Sequence, residues 1–325
     1  MSTDAVLPVG IDVAKRTLQV SLRRADGKRR HKSVSNDRTG HQQLLAWLGQ
    51  QGVYQVHACL EATGTFAEAV ATVLVDAGHT ASIVNPAAVK AFAASQLRRT
   101  KTDRVDADVL LDFCVAHQPA AWTPWPGEVR ALQCLVRRAD ALQDMLTQER
   151  NRLAAGGATS PVEASLERHI AMLETELADL QRQIRDHLDQ HPGLRAQRDL
   201  LETIPGLGTT TIARLLAECR SISAFDNARA YAAFSGLVPR ERQSGTLRGR
   251  PRLAKLGSAR MRKALFFPAL AASRFNPVLA PFSAKLRAAG KPKMVIIAAV
   301  MRKLLHLVYG VLKSQRPFDP TIANA

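Results

Sequence analysis

Cysteine is scarce in this sequence. The 325 residues contain four cysteines, Cys59, Cys114, Cys134 and Cys219, which lie far apart and form no CxxC pair. This spacing argues against a disulfide framework and against a cysteine-based zinc site, since such a site needs closely spaced thiols. We therefore predict that the cysteines are small buried hydrophobic residues of a protein in a reducing cytoplasm.

Long apolar runs are also missing. The first residues, MSTDAVLPVGID, show neither a basic start nor an apolar stretch, and the most apolar late segment is short, Met294–Met301. A secretory signal needs the first two features, and a membrane-spanning helix needs about 20 apolar residues. The sequence therefore predicts a cytoplasmic protein without a membrane segment. The nucleotide-binding motif GxxxxGK[ST] is absent as well.

Acidic residues are depleted in the C-terminal part of the chain. Residues 196–325 contain 22 Lys and Arg against 6 Asp and Glu, whereas residues 1–195 contain 23 against 22. Almost all of the net charge of +17 is therefore carried by the last 130 residues. A concentrated positive charge favours a polyanion, because neutralising phosphates releases their counterions. We predict nucleic-acid binding in preference to a merely solubilising or ribosome-like basic surface.

The first 125 residues alternate between strand and helix patterns. Residues 5–13 are typical of a buried strand, and residues 18–22 alternate apolar and polar side chains as a half-buried strand does. Asp26-Gly27 is a hairpin signal, which pairs the second and third strands antiparallel. There follow a helix over 39–48 with Thr39 as its N-cap, a strand over 53–60, a helix over 66–77 and a strand over 82–84. This pattern predicts an α/β fold with a mixed sheet and helices on its faces.

A proline-rich segment, Pro119–Pro126, predicts a domain boundary. In the helical region that follows, six apolar residues recur at alternating steps of four and three: Leu166, Ile170, Leu173, Leu177, Leu180 and Ile184. This heptad seam predicts an antiparallel helical hairpin, a coiled-coil arm over residues 126–195. The seam packs either against its own partner helix or against another subunit. Residues 196–325 are predicted to form a basic, mostly α-helical third domain.

Four acidic residues are expected to lie close together, two at a sheet edge and two on one helix. Asp12 ends the first predicted strand and Glu61 directly follows the fourth, so both enter one cleft if these strands are neighbours. Asp103 and Asp106 share a helix face if a helix capped by Thr102 begins there. Singly, each acid is more often a turn former, an ion-pair partner or a solvated residue.

Taken together, the four acids favour a metal site. Mg²⁺ relieves repulsion between carboxylates through oxygen ligation, and two such ions stabilise an in-line phosphoryl displacement. Asp108, five residues after Asp103, is expected to point elsewhere.

Four segments of the sequence, GIDVAK, LEATGTF, NPAAVKAFA and RRTKTDRVDADVL, resemble a known family. They are similar to motifs of the DEDD-type transposases of bacterial insertion sequences, the bridge-RNA-guided serine recombinases, which are related to pilin-gene invertases. The resemblance covers nearly the whole chain. It implies an RNase H-like (RuvC-like) domain over 1–125, a coiled-coil arm over 126–195 and a serine-bearing transposase domain over 196–325. It also implies Mg²⁺ on Asp12, Glu61, Asp103 and Asp106, and DNA strand exchange as the reaction.

The basic C-terminal region contains two further candidate elements. Residues 201–219 have the form of a helix-hairpin-helix, in which backbone N–H groups at Gly206 and Gly208 contact a phosphate oxygen. An ordinary helix–turn–helix packing unit is the alternative. The second element is a loop over 234–257, in which Ser244 lies among basic residues: Arg240, Arg242, Arg248, Arg250, Arg252 and Lys255.

By residue type alone, the Ser244-Gly245 pair in a basic loop favours a flexible phosphate-binding turn over a catalytic serine. The family resemblance implies instead that Ser244 is the nucleophile and forms a phosphoserine link to DNA. Ser235 and Ser258 are the alternatives. They are expected to be structural, the first at a helix end and the second as a helix N-cap.

The resemblance also implies partners. These are donor and target DNA, a structured non-coding guide RNA encoded by the element, and a location at the nucleoid. The basic C-terminal half and the basic segment over 23–32 are compatible with RNA. Exchange between two duplexes implies a dimer and a tetramer in the synapse, where the acids of one subunit could face Ser244 of another and the leucine seam is a candidate dimer contact.

Two other functions are compatible with the residues. An RNase H-like junction nuclease that cuts with metal-activated water needs the acids but not Ser244. A non-enzymatic DNA-binding protein needs neither.

Overall fold

The structure is a computed structural model that describes residues 6–24, 26–52, 55–62, 64–96, 102–157, 159–219, 221–240, 243–244, 247–248, 252–253 and 257–321. The chain forms two compact units, an N-terminal unit over residues 1–124 and a C-terminal unit over residues 125–325. The division falls inside the proline-rich segment. Each unit has its own hydrophobic core.

A five-stranded mixed sheet forms the centre of the N-terminal unit. Its strands are β1 (Leu7–Val13), β2 (Thr17–Arg23), β3 (Arg29–Ser35), β4 (Val56–Glu61) and β5 (Thr80–Val84). Their order is β3-β2-β1-β4-β5, with β1, β4 and β5 parallel and with β2 antiparallel to both β1 and β3. The predicted mixed sheet and the predicted hairpin between β2 and β3 are both confirmed.

Helices cover both faces of this sheet: α1 (Arg38–Gln50), α2 (Thr65–Asp76), α3 (Pro86–Ser95) and α4 (Asp103–His117). Apolar side chains of α1 and α2 pack on the face that carries Val9 and Ile11. Apolar side chains of α3 and α4 pack with Cys59 on the other face. This layering is consistent with an RNase H-like α/β domain.

The start of α1 differs from the prediction. Its N-cap is Asp37, whose carboxylate accepts the backbone N–H of Gly40 at 2.8 Å, and Thr39 lies inside the first turn. The prediction of Thr39 as N-cap was wrong. Asp37 and Thr39 are two residues apart, and both are residue types that cap helices well. The side chain that reaches a free N–H decides between them.

Gly10 is the point where β1 and α4 approach most closely. A Cβ atom at this position would lie 2.1 Å from the carbonyl oxygen of Ala107 and 2.3 Å from the backbone nitrogen of Leu111. Both are backbone atoms, which cannot rotate away as a side chain can. Only glycine therefore lets α4 lie so close to the strand that carries Asp12.

We expect Gly10→Ala to destabilise the protein by about 1–3 kcal/mol or more, because the added methyl group forces α4 away from the sheet. Urea unfolding measures the change. The matched control is Gly49→Ala on α1, where an added Cβ meets nothing within 4 Å. This control is expected to raise stability by up to about 1 kcal/mol, since alanine favours helix. Equal stability of Gly10→Ala and the unmodified protein would contradict the close-approach argument.

The C-terminal unit is mainly helical: α5 (Gly127–Ala154), α6 (Ser160–Gln190), α7 (Pro192–Glu202), α8 (Thr209–Glu218), α9 (Ala228–Phe234), α10 (Ala259–Phe275), α11 (Leu279–Ala288) and α12 (Lys293–Ser314). Four short strands lie between α9 and α10: β6 (Pro239–Arg240), β7 (Gln243–Ser244), β8 (Leu247–Arg248) and β9 (Arg252–Leu253). β6 pairs with β9, and β7 pairs with β8. A single core joins the arm helices α5 and α6 to the helices that follow them, so residues 126–195 and 196–325 belong to one compact unit.

Half of the leucine seam is buried within the chain. Leu173, Leu177 and Ile184 of α6 belong to the same core as Leu142 and Leu146 of α5. Ion pairs also join the helices, among them Arg138 to Glu176 at 3.3 Å and Arg150 to Glu174 at 2.6 Å. The predicted helical hairpin is confirmed, and the buried part of the seam packs against the chain's own α5. The other seam residues, Leu166, Ile170 and Leu180, are partly exposed, and a dimer contact at the seam remains a prediction.

The burial of α12 and of the cysteines bears on two predictions made from composition. By length and composition alone α12 is able to cross a membrane, but half of its most apolar stretch is buried in the fold. Val300, Leu304 and Val308 belong to the core, which identifies α12 as a core helix. Among the cysteines, Cys59 and Cys114 are buried as predicted and Cys219 is partly buried, whereas Cys134 is exposed.

Candidate active site

The strand order brings Asp12 and Glu61 together. β1 and β4 are adjacent and parallel, with Ile11 in register with Leu60. Asp12 and Glu61 are the next residues along these two strands. Because neighbouring residues of adjacent parallel strands point to the same face of the sheet, the two carboxylates emerge side by side. The predicted neighbourhood of these strands is confirmed.

The first turn of α4 provides the other two acids. Thr102 is the N-cap, and its side-chain oxygen accepts the backbone N–H of Val105 at 3.3 Å. Asp103 and Asp106 both lie in this first turn, as the capped-helix prediction required. The partial positive charge of a helix N-terminus stabilises carboxylates there, which lowers the cost of placing two acids close together.

The pKa of Asp12 depends on the three other acids. Burial, followed by repulsion from Asp106, Asp103 and Glu61, raises the pKa of Asp12 to about 6, against a usual value of 3.8. A hydrogen bond from the backbone N–H of Val13 lowers the pKa in part. Like charges affect a pKa in this way only when they lie close together. Asp12, Glu61, Asp103 and Asp106, hereafter the acid cluster, form one electrostatic unit.

The acid cluster suits a hard divalent cation. Among the described residues, no three His, Cys, Asp or Glu side chains lie close enough to enclose a single ion. Asp12 and Glu61 nevertheless lie on adjacent parallel strands, and repulsion from Glu61, Asp103 and Asp106 raises the pKa of Asp12. Mg²⁺ commonly binds through one or two carboxylates, with water and substrate phosphate as its other ligands, and does not need a closed protein cage. An all-oxygen, repelling donor set of this kind fits Mg²⁺.

The raised pKa of Asp12 predicts a pH-dependent stability in the presence of a chelator. Between about pH 4 and pH 6 the folded chain keeps on Asp12 a proton that the unfolded chain has released. The contribution of Asp12 to stability is therefore most favourable at low pH and decreases as the pH rises through this range. We expect Asp12→Asn to stabilise the chelated protein more at about pH 7 than at about pH 4.

Thermal unfolding of the two proteins in chelator, at several pH values, measures this difference. Comparison of the two proteins at each pH removes the contribution of the groups that titrate in both. A difference in melting temperature that stays the same at every pH would contradict the assignment.

A polar cluster next to the acid cluster holds α4 on the sheet. Asp108 accepts hydrogen bonds from Ser21 at 2.5 Å and from Nε2 of His31 at 2.9 Å, and Arg29 lies 3.4 Å from the same carboxylate. Burial raises the pKa of Asp108, but these partners outweigh burial and hold the pKa below its usual value. Asp108 thus points away from the acid cluster, as predicted.

Arg104 lies between Asp103 and Asp106 in the sequence, but it contacts a different group. Its guanidinium donates to Nδ1 of His31 at 3.1 Å. A guanidinium has only donors, so Nδ1 must accept and Nε2–H must donate to Asp108. This contact ties a cation of the first turn of α4 to β3. The sequence pattern did not indicate that Ser21, Arg29, His31 or Arg104 belong to this polar cluster around Asp108.

The basic loop of the C-terminal unit is described only in part. The backbone of Ser244 lies on β7 in register with Leu247, and Arg248 on β8 is in register with Gln243. Arg240 and Arg252 are in register across β6 and β9. Arg242, Gly245, Arg250 and Lys255 lie outside the described residues. The catalytic role of Ser244 and the phosphate contacts of these basic residues remain predictions.

The two alternative serines are structural, as expected. Ser235 is fully buried, and its hydroxyl donates to the carbonyl of Ala232 at 2.7 Å. Ser258 is the N-cap of α10, where it accepts the backbone N–H of Met261 at 3.2 Å and donates to Glu218 at 2.9 Å. A buried serine and a helix cap are poorly placed to attack a phosphate.

The hairpin between α7 and α8 gives its two glycines different roles. Gly206 has a φ of +104°, and a Cβ there would lie 2.9 Å from the Cβ of Ala272 on α10. Packing against α10 therefore accounts for glycine at position 206, and a phosphate contact through the backbone N–H of Gly206 remains a prediction. Gly208 is the N-cap residue of α8 and provides no side-chain cap, so a phosphate contact at Gly208 remains a prediction.

Comparison with known proteins identifies the chain. A family profile described as Transposase, of the DEDD type of IS110, matches residues 9–155, and a second profile, described as Transposase IS116/IS110/IS902 family, matches residues 198–284. The pilin gene-inverting protein of Moraxella bovis is 32% identical over 97% of this chain and 98% of its own length. The transposase for insertion sequence element IS1328 of Yersinia enterocolitica is 26% identical over 58% of this chain and 62% of its own length.

An α/β domain with a DEDD acid cluster, followed by a basic helical unit, defines the class: the protein is a transposase, an enzyme that acts on DNA. Within this class, the chain belongs to the IS110 family of transposases.

Proposed function

We propose that this transposase cuts and rejoins DNA strands through Mg²⁺ held by the acid cluster and through a phosphoserine link formed by Ser244. The observation that carries the proposal is the placement of Asp12 and Glu61 side by side on β1 and β4, with Asp103 and Asp106 in the first turn of α4. The pKa of Asp12, raised by burial and by repulsion from the three other acids, supports it. Such an arrangement is costly to the fold, so it favours a functional site over a structural one.

The chain's own residues then have separate tasks. The acid cluster would hold Mg²⁺, and the bound ion would orient the scissile phosphate and neutralise charge that develops on the reacting oxygens. The hydroxyl of Ser244 attacks phosphorus, so that a serine O–P bond forms and a DNA O–P bond breaks. The serine proton ends on the departing DNA oxygen as a free hydroxyl. The partner strand's hydroxyl later attacks the same phosphorus, so that a new DNA O–P bond forms, the serine O–P bond breaks and the serine regains a proton. No ATP is required because each step replaces one phosphoester bond with another.

Arginines near Ser244 support this role by their chemistry. Guanidinium groups bind phosphate oxygens through paired, charge-assisted hydrogen bonds, and positive charge favours the serine alkoxide. Arg240, Arg248 and Arg252 lie on the short strands that flank Ser244. They are proposed to clamp the attacked phosphate together with Arg242, Arg250 and Lys255.

The proposed partners are donor DNA, target DNA and a structured guide RNA encoded by the element, with the enzyme at the nucleoid. The family resemblance suggests the RNA, and the positive charge of residues 196–325 is compatible with it. A dimer, and a tetramer in the synapse, are proposed from the need to hold two duplexes during exchange.

The experiment that tests the proposal combines purified protein with DNA that spans an element end, RNA transcribed from the adjacent non-coding DNA, and Mg²⁺. A protein–DNA adduct that survives denaturant, and that forms with Mg²⁺ but not with chelator, supports the proposal. Strand cleavage without any adduct would indicate instead a junction nuclease that uses metal-activated water.

A further inference from the structure

A groove in the C-terminal unit lies outside both candidate catalytic elements. It has a volume of about 690 Å³ and is bounded by α5, α6, α8 and α10. Its apolar lining includes Val136, Leu177 and Ala213, and its polar lining includes Gln143, Gln181 and Thr210. A groove with apolar walls and a few polar groups is typical of a site for a flat, partly polar small molecule or group.

Phe267 on α10 lines this groove and is unusually exposed. Its side chain is 75% accessible to solvent, although apolar side chains of this size are normally withdrawn from water. Three basic residues, Arg260, Lys263 and Arg274, lie along the same face of α10 at helical spacing from Phe267. An exposed aromatic ring interleaved with cations is the pattern on which nucleobases stack.

The charged residues of the groove differ in exposure. Asp140 is paired with Arg214 at 2.5 Å, and both side chains are partly buried. Asp144 is paired with Lys263 at 2.6 Å, and both side chains are exposed. The paired carboxylates can accept hydrogen bonds from the amino groups of a base. On α10, Arg260 lies 3.7 Å from Glu218. Arg185 is exposed and makes no ion pair within the part of the chain that the structure describes, so it is available to a phosphate. The exposed cations Arg185 and Lys263 form the basic rim of the groove.

We propose that this groove receives an unpaired nucleobase, which stacks on Phe267 while the phosphates of its strand pass over the basic rim. A base inside a duplex is paired and stacked and cannot enter, so the site is specific for single-stranded or flipped-out nucleotides. The excess positive charge of residues 196–325, together with Arg185 in the groove lining, favours a polyanionic strand as the occupant. A second copy of the chain is an outcome of the test. The inference rests on the proposed function only in that strand exchange exposes such bases.

Fluorescence anisotropy with labelled oligonucleotides tests the proposal in chelator, where no cleavage is needed. The probes are single-stranded DNA, RNA of the same sequence, and the DNA duplex. We expect Phe267→Ala to weaken single-strand binding by about 5- to 150-fold and to leave duplex binding unchanged. The single strand that loses affinity, DNA or RNA, identifies the natural source of the base.

Two further variants sharpen this test. Phe267→Trp is expected to restore single-strand affinity and to add an indole whose fluorescence is quenched when a base stacks on it. Phe275→Ala, a change of the same type at the end of the same helix with 74% exposure, lies outside the groove lining and is expected to bind as the unmodified protein does.

Three outcomes would overturn the proposal. The first is unchanged single-strand affinity in Phe267→Ala. The second is an equal loss for single strand and duplex, which indicates a general effect on the basic surface. The third is a Phe267→Ala variant that changes only the oligomeric state in analytical ultracentrifugation, which would assign Phe267 to a contact between copies. All three leave the catalytic proposal untouched, because none of them depends on the acid cluster or on Ser244.

Discussion

Replacing Ser244 by alanine is expected to abolish the denaturant-stable link between the protein and DNA. Removal of the nucleophile from an enzyme that works through a covalent intermediate lowers the rate by on the order of 10⁶-fold, which is below detection in a cleavage assay. DNA binding should persist, because alanine removes a single oxygen and leaves the surrounding charge of the C-terminal unit unchanged. The adduct is measured on a denaturing gel with labelled DNA, and DNA binding by anisotropy on the same preparation.

The control for this prediction is Ser223→Ala. Ser223 is an exposed serine in the same unit, and its hydroxyl forms a hydrogen bond with the hydroxyl of Ser221 at 2.7 Å. Ser223→Ala should form the adduct as the unmodified protein does. If Ser244→Ala instead cuts DNA at an unchanged rate, the nucleophile is not this serine, and a junction nuclease with metal-activated water becomes the better assignment.

The acid cluster could be predicted from the sequence because each of its members is fixed by local structure. Asp12 and Glu61 lie at the ends of short apolar runs that are typical of buried strands, and the carboxyl ends of neighbouring parallel strands meet at one edge. Thr102 caps α4 by a local hydrogen bond, which determines the face shared by Asp103 and Asp106. The positions of the four acids could thus be predicted mainly from spacing within single strands and helices.

The polar cluster around Asp108 was not predicted, because it depends on contacts between distant segments. Ser21 and His31 are neighbours only through the register of β2 with β3, and their partner Asp108 lies 77 residues beyond His31 in the chain. The hairpin signal at Asp26-Gly27 suggested the pairing of the strands. The sequence pattern does not indicate which helix packs on β2 and β3.

The partner of the leucine seam likewise could not be predicted from the sequence pattern alone. Its heptad spacing predicted a helical partner for α6, but a seam of leucines is equally suited to a helix of the same chain or of another subunit. The turn between α5 and α6 makes the closest partner the chain's own. The ion pairs Arg138–Glu176 and Arg150–Glu174 are consistent with an antiparallel arrangement, since the residue number rises along α5 and falls along α6. The groove that contains Phe267 was not predicted either, because four helices that are distant in sequence form it.

Asp12→Asn and Asp106→Asn are expected to eliminate DNA cleavage while the fold is retained. Each change removes a charged oxygen ligand, and electrostatic stabilisation by a bound cation contributes several kcal/mol to phosphoryl transfer, so the rate should fall by about 10³-fold or more. The rate is measured on labelled element-end DNA over a range of Mg²⁺ concentrations. Asp26→Asn, at an exposed carboxylate in the hairpin turn, is the matched control and should leave the rate unchanged.

The melting temperature of Asp12→Asn shows whether a loss of cleavage comes from a lost metal ligand or from a damaged fold. A buried carboxylate that repels three others destabilises the chelated protein near neutral pH, so Asp12→Asn should melt at the same temperature as the unmodified protein or higher. A variant that is inactive and yet more stable is the behaviour expected where a strained charge cluster is kept for function. Cleavage by Asp12→Asn at the unmodified rate would rule out the acid cluster as the metal site. Lost cleavage accompanied by a lower melting temperature would show instead that Asp12 supports the fold.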